Sequence, residues 1–475
     1  MWGTNAVNGL IHVITKSAAA TQGVSAEAHA GSTERGAALR FGGEAGDDAH
    51  YRVSVRAHDR SNTEQADGTA LRDAADGVQA SFRGDLSRGD DAFQFQGALY
   101  HSTIDQAPVA REGSGGHLRG QWARRHDDGR ATLVQVYAEQ TERRQAGGFG
   151  ERRNTADLVA QHEFVPATGQ HSVVGLGYRH SRGRVDNTPS IAFEPALQDA
   201  AWSRVFAQNQ SILLPGLELT LAGNVERNPY TGTEFLPSLR IAWQTGYQHL
   251  AWASVSRAVR APSRIDRDLY QPDQAPGGLA GGPDFQSEVA NVGELGLRGQ
   301  PHPRLSYAAT LFHHEHKGLR SATATPVGLQ WQNHLEGYTR GLEMSGSWRV
   351  ADSWKLTAGG VWLRTRLHPS PGTVDAGGRR SLGNDPDSVW SLRSAWDITA
   401  WLRWDVNIRH VDALPDPAVP AYTAVDSRLA WQYAPDLEVS VTVLNAFDPS
   451  HAEWGASPGR AEFQRSAALQ LRWRL

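Results

Sequence analysis

The sequence predicts an all-β fold, a transmembrane antiparallel β-barrel of about 22 strands. Two patterns predict it: connections that switch regularly between tight turns and long polar loops, and period-two alternation of apolar and polar residues between them. A third observation is that no stretch approaches the ~18 consecutive apolar residues that a spanning helix needs. Strands rather than helices are therefore expected to cross the membrane.

The connections come in two lengths. Tight joints such as Arg88–Asp90, Leu214–Gly216 and Pro301–Pro303 alternate with long excursions rich in Gly, Pro and polar residues. The long excursions span residues 60–75, 104–116, 142–153, 184–200, 258–287, 318–332, 366–386 and 448–462. A meandering sheet places odd and even connections on opposite sides, so this asymmetry is typical of outer-membrane barrels.

Composition agrees with this class. Charged residues make up 21% of the chain and mean hydropathy is -0.49, which suits strands of ~9–11 residues that face lipid on one side only. The 16 Trp, 11 Tyr and 13 Phe are enough for aromatic girdles at both interfaces. A net charge of -4 predicts no nucleic-acid partner, and the lack of Cys excludes disulfides and thiolate metal sites.

The predicted strands have two different faces. Within residues 401–411, the positions Leu402, Trp404, Val406 and Ile408 share an apolar face. In the last strand Leu469, Leu471 and Trp473 do the same. A soluble β-sandwich would show this alternation too, so the local pattern leaves that alternative open. The strand number and the loop asymmetry favour a barrel, because closure removes the unpaired edges that lipid does not tolerate.

Several motifs, taken in order along the chain, resemble TonB-dependent outer-membrane receptors. Residues 2–16 are similar to the end of that family's plug domain, and residues 255–264, 285–298, 333–343 and 443–448 are similar to its barrel strands. The motif positions for which the resemblance implies structural roles are Gly3, Asn5, Asn8, Gly9, Arg260, Pro262, Gly341, Glu343, Asn445, Phe447 and Asp448.

The resemblance implies two parts. Residues 1–17 correspond to the C-terminal remnant of the plug and residues 18–475 to the barrel. The family ordinarily begins with a signal peptide, a TonB-contacting box and a whole plug, whereas Met1 falls near the plug's last turn. We expect this start to lie inside a longer gene, with a natural plugless barrel as the alternative. The last residue is Leu475 instead of the usual aromatic, a role that Trp473 can take.

The resemblance also implies a function. Such receptors lie in the outer membrane of Gram-negative bacteria and import bulky, scarce ligands, mostly ferric siderophores and similar iron chelates. Energy comes from the TonB–ExbB–ExbD system, whose contact region we expect to be absent here. We expect a monomer in the lipid bilayer with no cofactor. A passive plugless channel or a non-functional fragment remains open, as does a receptor for cobalamin, haem, a copper chelate or an oligosaccharide.

Arginines provide the first candidate ligand contacts. The long excursion 258–287 carries Arg264 and Arg267, and guanidinium groups bind anionic chelates through paired oxygens. Equally, these side chains can stabilise the base of their own loop. We favour that structural role for Arg257 and Arg260, and leave both roles open for Arg264 and Arg267.

Histidines and tryptophans provide the second set. The lipid face of the strand that starts at Leu305 has odd numbers, so His314 and His316 are expected to face the lumen, where paired imidazoles can bind haem iron or a divalent metal. Coincidence is the favoured alternative, because the chain has 19 histidines. Trp331, Trp390 and Trp454 lie in or beside long loops and can stack on an aromatic chelate; girdle or loop-packing roles are the alternative.

Catalytic motifs are lacking. The sequence contains no Gly-Xaa-Ser-Xaa-Gly elbow, phosphate loop or His-Glu-Xaa-Xaa-His motif. His101 and Ser102 are neighbours, but adjacent strand residues face opposite sides and cannot form a catalytic pair. We therefore expect no enzymatic activity, no catalytic residue and no structural metal.

Overall fold

The computed structural model describes residues 3–7, 9–127, 129–246, 248–274, 277–326, 328–377 and 382–475. The motif position Asn8 lies outside the described residues. The main sheet has 23 strands; one is the two-residue segment Leu279–Ala280, and the other 22 form the wall of a closed barrel. The predicted fold class is confirmed.

The wall strands follow one another in chain order. They are β1 Gly23–Gly31, β2 Glu34–Glu44, β3 Ala49–Arg60, β4 Ala75–Arg88, β5 Asp91–Ile104, β6 Arg111–Arg125, β7 Ala131–Gln145, β8 Gly150–Phe164, β9 Gln170–Asp186, β10 Leu197–Leu214 and β11 Leu217–Asn228. The second half comprises β12 Gly232–Gln244, β13 His249–Arg260, β14 Glu288–His302, β15 Leu305–Thr325, β16 Gly328–Ala351, β17 Trp354–Pro369, β18 Ser388–Thr399, β19 Leu402–Val411, β20 Tyr422–Ala434, β21 Leu437–Leu444 and β22 Ser466–Arg474.

The barrel closes between its first and last strands. β22 pairs antiparallel with β1, with Ser25 opposite Arg474 and Gly31 opposite Ala468. Every other wall strand pairs antiparallel with the next strand in sequence. A cylinder of this kind satisfies each backbone N–H and C=O group across a neighbouring strand, which excludes the β-sandwich alternative.

The remaining elements lie in the connections. They are the helix α1 Arg264–Arg267, the 3₁₀ turns Ala19–Thr21 and Pro272–Gln274, and three antiparallel pairs of two-residue strands: Ala192–Phe193 with Leu269–Tyr270, Leu414–Pro415 with Ala418–Val419, and Ser450–His451 with Phe463–Gln464. Leu279–Ala280 pairs parallel with residues 329–330 of β16. No helix in the described ranges is long and apolar enough to cross a membrane.

The tight joints and long loops fall on opposite sides of the barrel, as predicted, but some loop boundaries were wrong. The excursion expected at residues 318–332 consists mostly of β15 and β16, which run to Thr325 and from Gly328. Likewise β6 already begins at Arg111. Polar composition marks where the wall leaves the membrane, but the strands continue to pair beyond that height. Polarity alone therefore made the predicted loops too long.

The apolar face points outward. Leu469 and Leu471 are 49% and 45% exposed on the outside of the wall, and Trp404 is also exposed. Their neighbours Gln470 and Arg472 point into the lumen, where both bond to Glu27. The predicted two-faced strands are thus lipid-facing outside and polar inside.

Aromatic side chains mark the interface on the tight-turn side. Exposed tryptophans lie within a few residues of the short turns: Trp243, Trp348, Trp396, Trp401, Trp404, Trp431 and Trp473. Trp354 and Trp396 pair across β17 and β18 with ring centroids 6.0 Å apart. Such rings favour the boundary between acyl chains and water, so this row is a membrane girdle.

This wall predicts opposite responses to charge at neighbouring positions of β21. Val441→Arg places a guanidinium on the lipid face near mid-height and should lower the free energy of unfolding by ~2–4 kcal/mol. Thr442→Arg, which points into the lumen, should cost much less. Denaturant titration of the protein in lipid vesicles measures both. Equal losses would contradict the assigned faces.

Candidate ligand-binding mouth

The mouth on the long-loop side is built around residues 261–287, which follow β13. The loop begins with α1, and Asp266 of that helix accepts hydrogen bonds from Ser263 N and Ser263 Oγ, both at 2.8 Å. A carboxylate in the first helical turn satisfies donors that the helix cannot pair itself. The loop therefore begins with a fixed turn.

A buried ion network anchors that turn to the wall. Arg260 donates to Asp266 at 2.8 Å and to Glu288 at 2.5 Å, so the end of β13 is tied to α1 and to the start of β14. Arg320 donates its backbone N–H to Glu288 at 2.7 Å and lies 3.4 Å from Asp266. Asp266 is 0% exposed. Two guanidinium groups thus compensate two buried carboxylates.

Electrostatics keep Asp266 ionised. Burial alone raises the pKa of this carboxyl, but the hydrogen bonds from Arg260 and Ser263 outweigh it and hold the pKa below its ordinary value. For Asp268, at the end of the same helix, burial prevails over Arg264 and the pKa is raised.

The two candidate arginines contact their own loop. Arg264 donates to Asp268 at 3.2 Å and lies 5.1 Å above the ring of Phe193. Arg267 donates twice to the carbonyl of Phe285, at 2.9 and 2.6 Å, and lies 5.7 Å from the ring of Tyr230. Ligand binding by Arg264 and Arg267 stays a prediction, and these contacts favour the structural role weighed beside it.

The outermost turns pack on a small apolar cluster. Val185, Phe193 and Leu269 are buried together, and Phe149, Ile191 and Leu279 pack against them. The two-residue strands 192–193 and 269–270 pair within this cluster. The connections β9–β10 and β13–β14 therefore fold together as one unit.

The two histidines face the lumen, as the strand parity predicts. The rings of His314 and His316 are 6.2 Å apart, and His316 Nε2 lies 3.1 Å from Thr339 Oγ1. Among the described residues, no group of three or more His, Cys, Asp or Glu can hold a metal ion. Haem or metal binding by this pair remains untested.

The three tryptophans have different environments. Trp331 is half-buried, and the guanidinium of Arg320 lies 4.6 Å from the centroid of the Trp331 ring. Trp390 stacks on its register partner His410, with ring centroids 5.5 Å apart. Both residues lie on the outer face that carries Trp404, and this position favours the girdle role over ligand contact. Trp454 is 57% exposed in the β21–β22 loop. Trp454 is thus the most accessible of the three to a ligand.

A second polar cluster, which sequence reasoning missed, fixes the β21–β22 loop. His451 stacks on Tyr422 at 4.0 Å and lies 3.0 Å from the carboxylate of Asp448. Glu453 accepts from Arg409 at 2.7 Å and from Tyr422 at 3.0 Å. These residues come from three separate stretches of chain, so no local pattern announces them.

Two other motif positions, Asn445 and Gly341, constrain the backbone where they lie. Asn445 adopts φ +52° and its amide donates to the carbonyls of Phe463 and Gln464, which turns the chain out of β21. A Cβ at Gly341 would collide with the carbonyl of Trp362 on the adjacent strand. Pro262 is buried, Phe447 is exposed at the loop surface and Glu343 is exposed in β16.

The N-terminal segment lies against the inside of the wall at two places. Thr4 donates to Glu226, Gly3 has no room for a Cβ beside that carboxylate, and Asn5, with φ +72°, donates to the carbonyl of Val259 at 2.7 Å. Gly9 also has a positive φ, +113°.

Near the other end of this segment, Arg83 donates to Thr15 O at 3.1 Å and to Thr15 Oγ1 at 2.8 Å. Ala18 N donates to Asp85 at 2.6 Å. The segment thus crosses the lumen from the β11–β13 side to the β4 side. The exact boundary between plug remnant and barrel stays a prediction.

A closed 22-strand wall, with a lipid face outside and a folded mouth on one side only, defines a large outer-membrane transport barrel. The family model for the β-barrel of TonB-dependent receptor-like proteins matches residues 24–446. The chain belongs to the TonB-dependent receptor family, whose members are outer-membrane transport proteins and not enzymes.

Solved structures show the same fold at low identity. The siderophore receptor PirA from Pseudomonas aeruginosa has a TM-score of 0.79 and 14% identity, covering 100% of this chain and 84% of that one. A mutant of the ferric enterobactin receptor PfeA from the same organism gives 0.80 and 14%, covering 100% and 83%. The FrpB iron transporter from Neisseria meningitidis gives 0.79 and 15%, covering 95% and 81%. None of the curated proteins matches the sequence significantly.

The buried network predicts a local response to mutation and pH. Asp266→Asn leaves Arg260 and Arg320 without their shared charge and should cost the 261–287 loop ~3–5 kcal/mol. Limited proteolysis should then cut this loop faster while the barrel stays folded. Asp284→Asn, an exposed position of the same loop, is the control.

In the wild-type protein, loop protection should persist from neutral pH to about pH 4, because the ordinary carboxyl pKa is ~3.9 and that of folded Asp266 is lower. Protection should be lost only as the pH falls through that lowered pKa. Cleavage that accelerates already near pH 6 would contradict the assignment to Asp266.

Proposed function

We propose that this chain forms the barrel of a receptor that imports an iron chelate of the ferric siderophore class, with energy supplied by the TonB–ExbB–ExbD system. The observation that carries the proposal is the mouth. In a wide, closed barrel of this family, the long loops lie on one side, and charged side chains hold them folded there. Its structural neighbours are iron-chelate receptors or iron transporters by description, which supports the same ligand class.

The loop chemistry supports a large anionic or aromatic ligand. The buried ion network holds the 261–287 loop in place without using its exposed surface, and the second cluster does the same for the β21–β22 loop. Trp454 then projects from a fixed loop, and a fixed aromatic side chain binds at a lower entropic cost than a mobile one. We assign first contact with the ligand to Trp454.

Residues 1–17 are proposed to be the end of the plug. The contacts of Thr4 with Glu226, of Asn5 with Val259 and of Thr15 with Arg83 support this, because they lie inside the wall, where a gate must lie. A 22-strand wall without a gate is wide enough to leak. The receptor is proposed to act as a monomer in the bilayer.

Uptake measurements test the proposal. Bacteria in which this gene supplies the sole receptor of the family receive radiolabelled iron as a ferric catecholate, a ferric hydroxamate or haem, or labelled cobalamin, with and without a functional TonB protein. TonB-dependent accumulation of iron from a siderophore is the expected result. Uptake limited to haem or cobalamin assigns another ligand, and uptake unaffected by loss of TonB supports a passive channel; each contradicts the proposal.

Two tryptophans form a matched pair for the ligand contact. Trp454→Ala should weaken binding of the transported chelate ~10-fold, as loss of an exposed aromatic anchor does. Trp390→Ala, on the outer face, should leave binding unchanged. Titration of purified receptor with the chelate by fluorescence quenching gives both affinities. Equal affinities for the two variants would remove Trp454 from the site.

A further inference from the structure

A row of basic side chains lies on the outer face of β15, β16 and β17, away from the mouth. His313 is opposite Arg340 in the β15–β16 register, and Arg340 is opposite Arg364 in the β16–β17 register. Arg366 follows one step higher on the same face, opposite Tyr338. All four positions share the parity of the lipid-facing residues Leu311, Leu342 and Trp362 directly below them, which fixes their outward direction.

The three arginines of this row have no acidic partner. Arg340 makes a cation–π contact of 5.4 Å with Tyr338, and no ion pair joins Arg340, Arg364 or Arg366 to a described residue. The two glutamates on the same face are engaged elsewhere, Glu315 with Lys317 at 3.3 Å and Glu336 with His368 at 3.9 Å.

Several outward arginines elsewhere on the barrel are paired. Arg152 lies 2.9 Å from Glu142, Arg182 lies 3.9 Å from Asp199, and Arg184 lies 4.0 Å from Asp186. On β16 and β17, by contrast, three neighbouring guanidiniums without an acidic partner lie together. An unpaired guanidinium row beside lipid calls for an anion from outside the chain.

An apolar groove opens directly below the row. It has a volume of about 820 Å³, and His313, Arg340 and Arg364 stand at its rim. Its apolar lining includes Leu239, Val255, Leu295, Leu311, Leu342 and Trp362. One continuous surface thus combines guanidiniums that can bind a phosphate with an apolar groove below them that can bind a hydrocarbon chain.

The height of the row matches the outer interface. His313, Arg340 and Arg364 lie about eight to eleven residues from the tight-turn ends of their strands, which at ~2.5 Å of height per tilted residue is roughly 20–28 Å. The apolar band of a membrane barrel is ~25 Å tall. Phosphates of the outer leaflet therefore lie level with these guanidiniums.

We propose that this surface, defined by His313, Arg340, Arg364, Arg366 and the groove below them, binds one phosphorylated lipid of the outer leaflet. The guanidiniums hold the phosphate through paired hydrogen bonds, and the groove holds an acyl chain. Free phosphate uses only the rim and leaves the groove empty, so the lipid is the occupant that satisfies both halves. The site is separate from ligand uptake and does not depend on the proposed transport function.

Native mass spectrometry of the full chain, purified from outer membranes in a mild nonionic detergent, tests the proposal. The wild-type protein should retain a phosphorylated lipid, and after delipidation it should bind phosphatidic acid but neither phosphatidylcholine nor inorganic phosphate. The variant Arg340→Gln/Arg364→Gln/Arg366→Gln should lose the retained lipid and bind phosphatidic acid at least ~10-fold more weakly.

The matched control removes three outward arginines that have acidic partners, as Arg152→Gln/Arg182→Gln/Arg184→Gln. It should retain the lipid like wild type. Heat-modifiable migration in gels checks that both variants are folded barrels. Equal retention by all three proteins, equal loss in both variants, or binding of inorganic phosphate as tight as that of phosphatidic acid would overturn the site.

Discussion

Backbone hydrogen bonding in lipid is the constraint on which this structure depends. Hydrocarbon offers no partner to an exposed N–H or C=O group, so a sheet that crosses it must have no edge. The pairing of β22 with β1 meets that requirement, and it joins segments that lie at opposite ends of the chain. Once the circle is closed, each side chain has only two destinations, the lumen or the lipid. The alternation along every wall strand follows from that choice.

Charge is distributed accordingly. Inside the wall, polar side chains pair with one another across strands, as Arg472 does with Glu27. Above the membrane, a charged side chain can be buried only where oppositely charged or hydrogen-bonding groups surround it. Asp266 is fully buried because two guanidiniums and a serine contact it. A buried network of this kind fixes geometry more than it adds stability. Its position at the base of a long loop therefore matters for the shape of the mouth.

The period-two alternation predicted which side chains of the wall face lipid or lumen, but it did not predict the side-chain contacts of the loops at the mouth. The reason is physical. Parity alone placed His314 and His316 in the lumen and Leu469 and Trp473 on the lipid face, because a strand has only two faces. The ring contacts of Arg264 with Phe193 and of Arg267 with Tyr230 depend on how separate loops fold against each other, which no local period encodes. The cluster of His451, Tyr422 and Glu453 is a contact of the same kind. Trp390, named for its nearness to a loop, lies on the outer face of β18 by the parity that was applied elsewhere.

The same division separates what the family shares from what this chain recognises. Closure and alternation are compatible with many sequences, which is why barrels with only 14% or 15% identity superpose on it over nearly its whole length. Recognition has to come from groups that closure leaves free. The groups that we propose for recognition are Trp454, exposed on an anchored loop, and the outward guanidiniums of Arg340 and Arg364, which have no carboxylate partner. Because three such guanidiniums are neighbours on β16 and β17, we infer that their partner belongs to another molecule.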